Sequence, residues 1–204
     1  MIINEGFKPK RKTDSRLPPG QYEESGFPVL SLGPTPKISQ DVWRLEVDGL
    51  VEDKLSWDWA QFTALPKADI VRDIHCVTKW SKFDTKWQGV SLDAIMDMAK
   101  VSPDATHLIA HSYDGYTTNM PLSDIRAARE GGAQAWVATV YDGMPLAPEH
   151  GGPARLLVPH LYFWKSAKWL KKLEFVKGDS PGFWETRGYH NYGDPWKEQR
   201  YTFD

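Results

Sequence analysis

One cysteine is available for thiol chemistry in the 204 residues, and it lies in Asp73-Ile-His-Cys-Val-Thr-Lys-Trp-Ser81, directly after His75. Three chemistries suit such a Cys76. It can be a buried, inert small hydrophobe. It can be a nucleophile activated by a distant histidine, although no oxyanion-loop signature accompanies it. Or it can be the thiolate ligand of a soft transition metal, for which one cysteine suffices when the other ligands come from a bound cofactor. Six histidines, at 75, 107, 111, 150, 160 and 190, fit no tight zinc spacing. His107 and His111 sit four apart on an expected strand, hence ~13 Å apart on one face, too far to chelate one ion.

A second region with chemical content is Pro148-Glu-His-Gly-Gly-Pro-Ala-Arg-Leu-Leu-Val-Pro-His-Leu-Tyr-Phe-Trp-Lys-Ser-Ala-Lys-Trp169. Gly151-Gly152-Pro153 lets a backbone approach a ligand closely, and Arg155, Lys165 and Lys168 follow it. Arginine presents a planar fork to phosphate and lysine a point charge, so this stretch suits a phosphorylated organic cofactor. G-x-G-x-x-G, G-x-x-x-x-G-K-[ST], C-x-x-C-H and H-E-x-x-H do not occur, so the chain carries no Rossmann, P-loop, c-type haem or zincin signature.

The elements that must position these residues are short. Trp43, Leu45 and Val47 alternate with Arg44, Glu46 and Asp48 in a half-buried strand entering an Asp48-Gly49 turn. A helix capped by Ser56 and stopped by Pro66 is expected next, then one from Ser91 with Leu92, Ile95, Met96 and Ala99 on a core face, then one capped by Ser123 and ended by Gly131 and Gly132. Asp114-Gly115 and Asp142-Gly143 read as hairpin turns, residues 154–159 as a buried strand, and residues 166–176 as a helix or a strand. Strands and short helices without regular alternation predict an α+β fold of mixed sheets. Residues 1–40, rich in Pro, Gly, Lys and Ser, read as an irregular arm docking on a body that spans 41–204.

With 25 basic against 27 acidic residues and one short basic run, Lys8 to Lys12, the chain lacks the footprint of a nucleic-acid binder. No stretch approaches the roughly 20 apolar residues of a membrane span, and the N-terminus shows no leader, so a cytoplasmic protein is expected. The 26 aromatic residues argue first for an aromatic core, and their polar handles can also border a ligand.

Four blocks in order, residues 73–92, 111–122, 142–170 and 181–201, resemble the sulfite oxidase family of molybdopterin-dependent oxidoreductases. The likeness is greatest to its short stand-alone members, similar to the catalytic subunit of bacterial methionine sulfoxide reductase systems. The resemblance implies the fold of that family and a Mo-molybdopterin cofactor whose metal takes a thiolate from Cys76. It implies cofactor contacts at His75, His150, Arg155, Ser166, Ala167 and Lys168, with Lys165 as a neighbour, and at His111. The N-terminal arm touches the pterin in relatives, which points to Arg16, Gln21 and Tyr22, although the family's own motif there is not intact. Thr78, Trp80 and Ser81 would support the cysteine, and Tyr113 or Tyr116 would donate a proton or hydrogen bond to substrate. The sequence has no room for the C-terminal immunoglobulin-like domain of sulfite oxidases, and Cys76-Val-Thr-Lys-Trp replaces their Cys-Ala-Gly-Asn-type run. Two-electron oxygen-atom transfer on a small substrate, with sulfoxide or N-oxide reduction ahead of sulfite oxidation and an unidentified electron partner, is therefore expected. A cofactor carrier without turnover and a metal-free thiol enzyme or binding module are the alternatives.

Overall fold

The computed structural model describes residues 16–128 and 134–204, and the Lys8–Lys12 run and the Gly131-Gly132 stop lie outside them. From Arg16 to Trp43 the chain forms no regular element except the two-residue strand β1 (Tyr22–Glu23). It then runs through β2 (Arg44–Gly49), β3 (Leu55–Asp58), helix α1 (Trp59–Thr63), β4 (Ala68–His75), β5 (Trp80–Ser91) and helix α2 (Leu92–Ala99). Next come β6 (His107–Ser112), β7 (Thr117–Pro121), helix α3 (Leu122–Ala128), β8 (Trp136–Tyr141), β9 (Met144–Pro145), β10 (Arg155–Leu157) and β11 (Leu170–Val176). The fold is α+β, with two mixed sheets and short helices.

One sheet is ordered β3-β2-β11-β6-β7, with β11 parallel to β2 and antiparallel to β6. The unresolved choice for residues 166–176 falls to strand because Leu170, Leu173 and Phe175 fill the core from a position between two paired neighbours. Trp43, Leu45 and Val47 are fully buried, as alternation requires. The Asp48-Gly49 pair, however, is not a tight turn. Both residues still pair with β11, and residues 50–54 make the connection to β3.

The other sheet is built on β5, whose first two residues pair with β1, whose residues 81–89 pair with β4 and whose last five pair with β8; β8 in turn pairs with β9 and β10. Asp142 and Gly143, both at positive φ, close the β8–β9 hairpin in the twist that suits a two-residue turn. Ser112 to Tyr116 close β6 onto β7.

Two helix starts differ from expectation. Ser56 is a strand residue paired with Glu46, and α1 is capped instead by Asp58, which accepts from the Gln61 amide while the Gln61 side chain accepts from the Asp58 amide. Ser123 lies inside α3, because β7 passes at Pro121 directly into the helix. Ser91 caps α2 as its sequence requires, and Leu92, Ile95, Met96 and Ala99 are its buried face. Among the described residues no helix is long and apolar enough to cross a membrane.

Replacing Ser91 with Ala should lower stability by ~1 kcal/mol through the lost cap. A urea titration should show a lower midpoint with an unchanged slope.

Candidate active site

The body's second apolar cluster is aromatic and surrounds Cys76: Trp80, Trp87, Tyr162, Phe163 and Trp164 belong to it, with Phe27, Trp184 and Tyr189 packed against it. Beside it opens a cleft of about 340 Å³.

Cys76 sits at the tip of the β4–β5 hairpin, where residues 76–79 turn the chain. The Cys76 amide donates to Trp80 O at 2.8 Å, and the Lys79 amide donates back to Cys76 O at 3.0 Å, with Lys79 at φ +79. Gln21 reaches from the arm to donate to Cys76 O at 3.0 Å, and Arg200 holds Val77 O at 2.8 Å. The sulfur lines the cleft although the residue is only 6% exposed. Burial pushes the thiol up, while the Thr78 hydroxyl, 3.2 Å from Sγ, and the charge of Arg200 pull the other way.

Arg155 opens β10 on the same cleft. It is 1% exposed, and its guanidinium donates to His150 O at 2.8 Å, Ser166 O at 2.7 Å and Leu156 O at 3.3 Å, with the Phe163 ring 4.2 Å from its centre. Among the described residues no carboxylate pairs with it, and desolvation lowers its pKa to about 9. Lys168 donates to Glu149 O at 2.7 Å, Leu30 O at 2.8 Å and Ser31 Oγ at 3.3 Å. Burial, then the charge of Arg155, lowers it to about 8. His150 lies flat on Phe27, the rings 3.9 Å apart, and its buried Nδ1 has no partner.

A buried cation, Arg155, and a half-buried one, Lys168, both hydrogen-bonded to backbone carbonyls beside an orphaned imidazole nitrogen, form a site that an anion would complete. Among the described residues no three of His, Cys, Asp and Glu gather to hold a metal. A metal on Cys76 therefore takes its other ligands from an organic group. The donor set fits a pterin with a thiolate-bound metal at one end and a phosphate at the other.

Of the residues singled out in the sequence, Cys76, Thr78, Trp80, Tyr116, His150, Arg155, Ser166, Ala167 and Lys168 line the cleft. The others do not, each for a physical reason. Lys165 is buried behind the wall in an ion pair with Glu185. His111 bonds Glu174 at 2.8 Å on the other sheet. Arg16 pairs with Asp73 and Asp84 at the surface, and Tyr22 points to solvent. His75 is buried against Ser81, its Nδ1 2.8 Å from the hydroxyl, while Gln21 touches Cys76 through the backbone only.

Both candidate tyrosines have their hydroxyls committed: Tyr113 donates to Arg44 O at 2.9 Å, off the cleft, and Tyr116 donates to Trp164 O at 2.7 Å. Tyr189 was not singled out. It lines the cleft, burial and then the neighbouring Tyr201 and Cys76 raise its pKa, and no described residue takes up its hydroxyl. Gly151 and Gly152 are also used differently from expectation. A Cβ on Gly151 would lie 2.9 Å from Lys168 Cβ, and one on Gly152 2.1 Å from Leu146 O, so the close approach is to the protein's own chain. The arm wall, Phe27 to Leu32, carries no pattern that sequence reading could have found.

The oxidoreductase molybdopterin binding domain model matches residues 32–184. The chain is 44% identical to the uncharacterized oxidoreductase YuiH of Bacillus subtilis, over 97% of this chain and 99% of that one. It is 27% identical to the protein-methionine-sulfoxide reductase catalytic subunit MsrP of Campylobacter jejuni, over 74% of this chain and 54% of that longer one. Among solved structures, the sulfane dehydrogenase SoxCD from Paracoccus pantotrophus superposes with a TM-score of 0.63 at 20% identity, over 76% of this chain and 42% of that one, and so shares its fold. The chain belongs to the oxidoreductase molybdopterin binding domain family. It is an oxidoreductase with Mo-molybdopterin as cofactor, and the donors along the cleft fit that group.

Sulfate, whose charge is constant above pH 3, should bind the cofactor-free chain at Arg155 and Lys168. Its affinity should be flat up to about pH 8 and then weaken by up to ~10-fold per unit as Lys168 loses its proton. Calorimetric titration of wild type and Lys168→Met, in which the decline should begin only about one pH unit higher as Arg155 loses its proton, checks this.

Proposed function

We propose that the chain reduces small sulfoxide- or N-oxide-type substrates by two-electron oxygen-atom transfer, with Cys76 holding the metal. The observation that carries this reading is the character of the wall around the sulfur. Val77, Thr78, Trp80 and Tyr189 flank it, while the cleft's cations, Arg155 and Lys168, are each bonded to backbone carbonyls and suit a cofactor phosphate. A sulfite anion would meet no cation of its own there, whereas a neutral, apolar sulfoxide would meet aromatic rings. The similarity to a protein-methionine-sulfoxide reductase subunit supports the same direction.

When bound, the molybdenum–pterin centre supplies the exchange of two electrons with transfer of an oxygen atom. The chain's residues do the rest. Cys76 enters as thiolate, a state that burial opposes and that the Thr78 hydroxyl and a metal favour. His150, Arg155 and Lys168 hold the phosphate end. Trp80, Phe163, Trp164 and Trp184 exclude water and pack the substrate's apolar substituents. Tyr189, the cleft tyrosine whose hydroxyl no described residue takes up, would supply a proton to the substrate oxygen, the role expected of Tyr113 or Tyr116. The overall change, sulfoxide plus two electrons and two protons to sulfide plus water, requires an external electron donor.

Protein loaded with Mo-molybdopterin should oxidise reduced viologen with sulfoxides at least ~10-fold faster than it reduces ferricyanide with sulfite. The reverse ranking would overturn the substrate assignment, and cofactor retention with neither activity would indicate a carrier. Cys76→Ser should lose ~100-fold or more in kcat and change the Mo(V) EPR signal, whereas Tyr189→Phe should lose ~10- to 100-fold with the signal retained.

A further inference from the structure

Lys165, adjacent in sequence to Trp164, is 1% exposed, and all its donors are engaged: Asn119 Oδ1 at 2.8 Å, Asn119 O at 3.0 Å, Asn191 O at 2.6 Å and Glu185 Oε1 at 2.6 Å. The same carboxylate oxygen accepts from Trp164 Nε1 and from Thr118 Oγ1, each at 3.0 Å. A buried ion pair is seldom better for stability than an apolar pair of the same volume, so its presence here calls for a geometric reason.

Trp164 supplies that reason, because it is part of the cleft wall and its indole is packed by neighbours away from the cleft. Tyr162 stacks on it at 5.4 Å, Tyr189 meets it edge-on at 5.0 Å, and a Cβ on Gly193 would come within 2.8 Å of its ring. Its backbone carbonyl accepts from Tyr116. Aromatic neighbours limit the tilt of a ring but leave it free to slide in its plane. The Glu185 oxygen, fixed by Lys165, stops that slide. Lys165 is itself tied to β7 through Asn119 and to the C-terminal segment through Asn191, both of which hydrogen-bond Asp179.

We propose that the Lys165–Glu185 pair is a positioning device that fixes the Trp164 indole in the cleft wall and thereby sets which size of apolar substituent fits opposite Cys76. This rests on the cleft being the oxidoreductase's active site, and its size selectivity is read with the sulfoxides proposed above. The pair touches neither cofactor nor substrate. It acts through Trp164.

The test uses the full chain and two variants. In ¹H–¹⁵N spectra of the cofactor-free protein, the Trp164 indole N–H is identified as the resonance missing from Trp164→Phe. In the double variant Lys165→Met, Glu185→Leu, which leaves no lone buried charge, this resonance should shift and exchange with solvent at least ~10-fold faster, with Tm lowered because Thr118, Asn119 and Trp164 lose partners but with the fold retained in far-UV circular dichroism. In loaded enzyme, both variants should lose ~10-fold of the KM preference between methyl and bulky aryl sulfoxides, and the double variant, whose residues lie behind the wall, should keep kcat for the preferred one within about threefold. Unchanged indole exchange and unchanged KM preference in a folded double variant would overturn the proposal. If the double variant does not fold, Trp164→Phe decides, and an unaltered preference there overturns it. Should wild-type enzyme turn over no sulfoxide, the substrate reading fails, while the indole exchange still tests the clamp.

Discussion

Arg155 is removed from water at a cost of several kcal/mol, and what it finds inside is carbonyl oxygens from three residues. Carbonyl dipoles orient a guanidinium without neutralising it. Lys168, thirteen residues on and half-buried, is also bonded to backbone carbonyls, and burial and then the charge of Arg155 lower its pKa. The surroundings are consistent with this charge being kept for a ligand. His150 turns an unpaired nitrogen inward, the arm covers Lys168, and aromatic rings keep water from screening the site.

At the other end the constraint is a turn. Four residues reverse the chain between β4 and β5, and each exposed carbonyl at its start is clamped from elsewhere, Cys76 O by Gln21 and Val77 O by Arg200. The sulfur is placed by backbone that has little freedom to shift. Arg200 and Gln21 come from opposite ends of the described chain, so the cysteine's position depends on the arm and the C-terminal segment together.

Local chemistry was legible in the sequence where a residue's role is decided by its neighbours in the chain. Ser91 and the face of α2, the Asp142-Gly143 hairpin, the alternation of β2, and the cations Arg155 and Lys168 all belong to that class, whereas Cys76 and His150 were pointed to by the family resemblance. Ser56 misled because a serine before a helix is a cap only if the strand has already ended, and Asp58 with Gln61 offered two reciprocal bonds against one. Lys165 misled because its spacing matches that of Lys168 while its side chain takes the opposite side of the wall. Tyr189 and the Phe27–Leu32 wall were invisible for a different reason: each is brought to the cleft from a distant segment by tertiary packing that no local pattern encodes.

The shared strand β5 has a metrological consequence. Its first residues carry the hairpin of Cys76, and its last pair with β8, which carries β10 and Arg155. Sulfur and guanidinium are thus mounted on one continuous ladder, with spans set by the spacing of hydrogen-bonded strands, ~4.8 Å each. Such a frame works as a gauge: for a cofactor that reaches from Cys76 to Arg155, as proposed, the distance to be spanned would be set by the same backbone bonds that hold the sheet together.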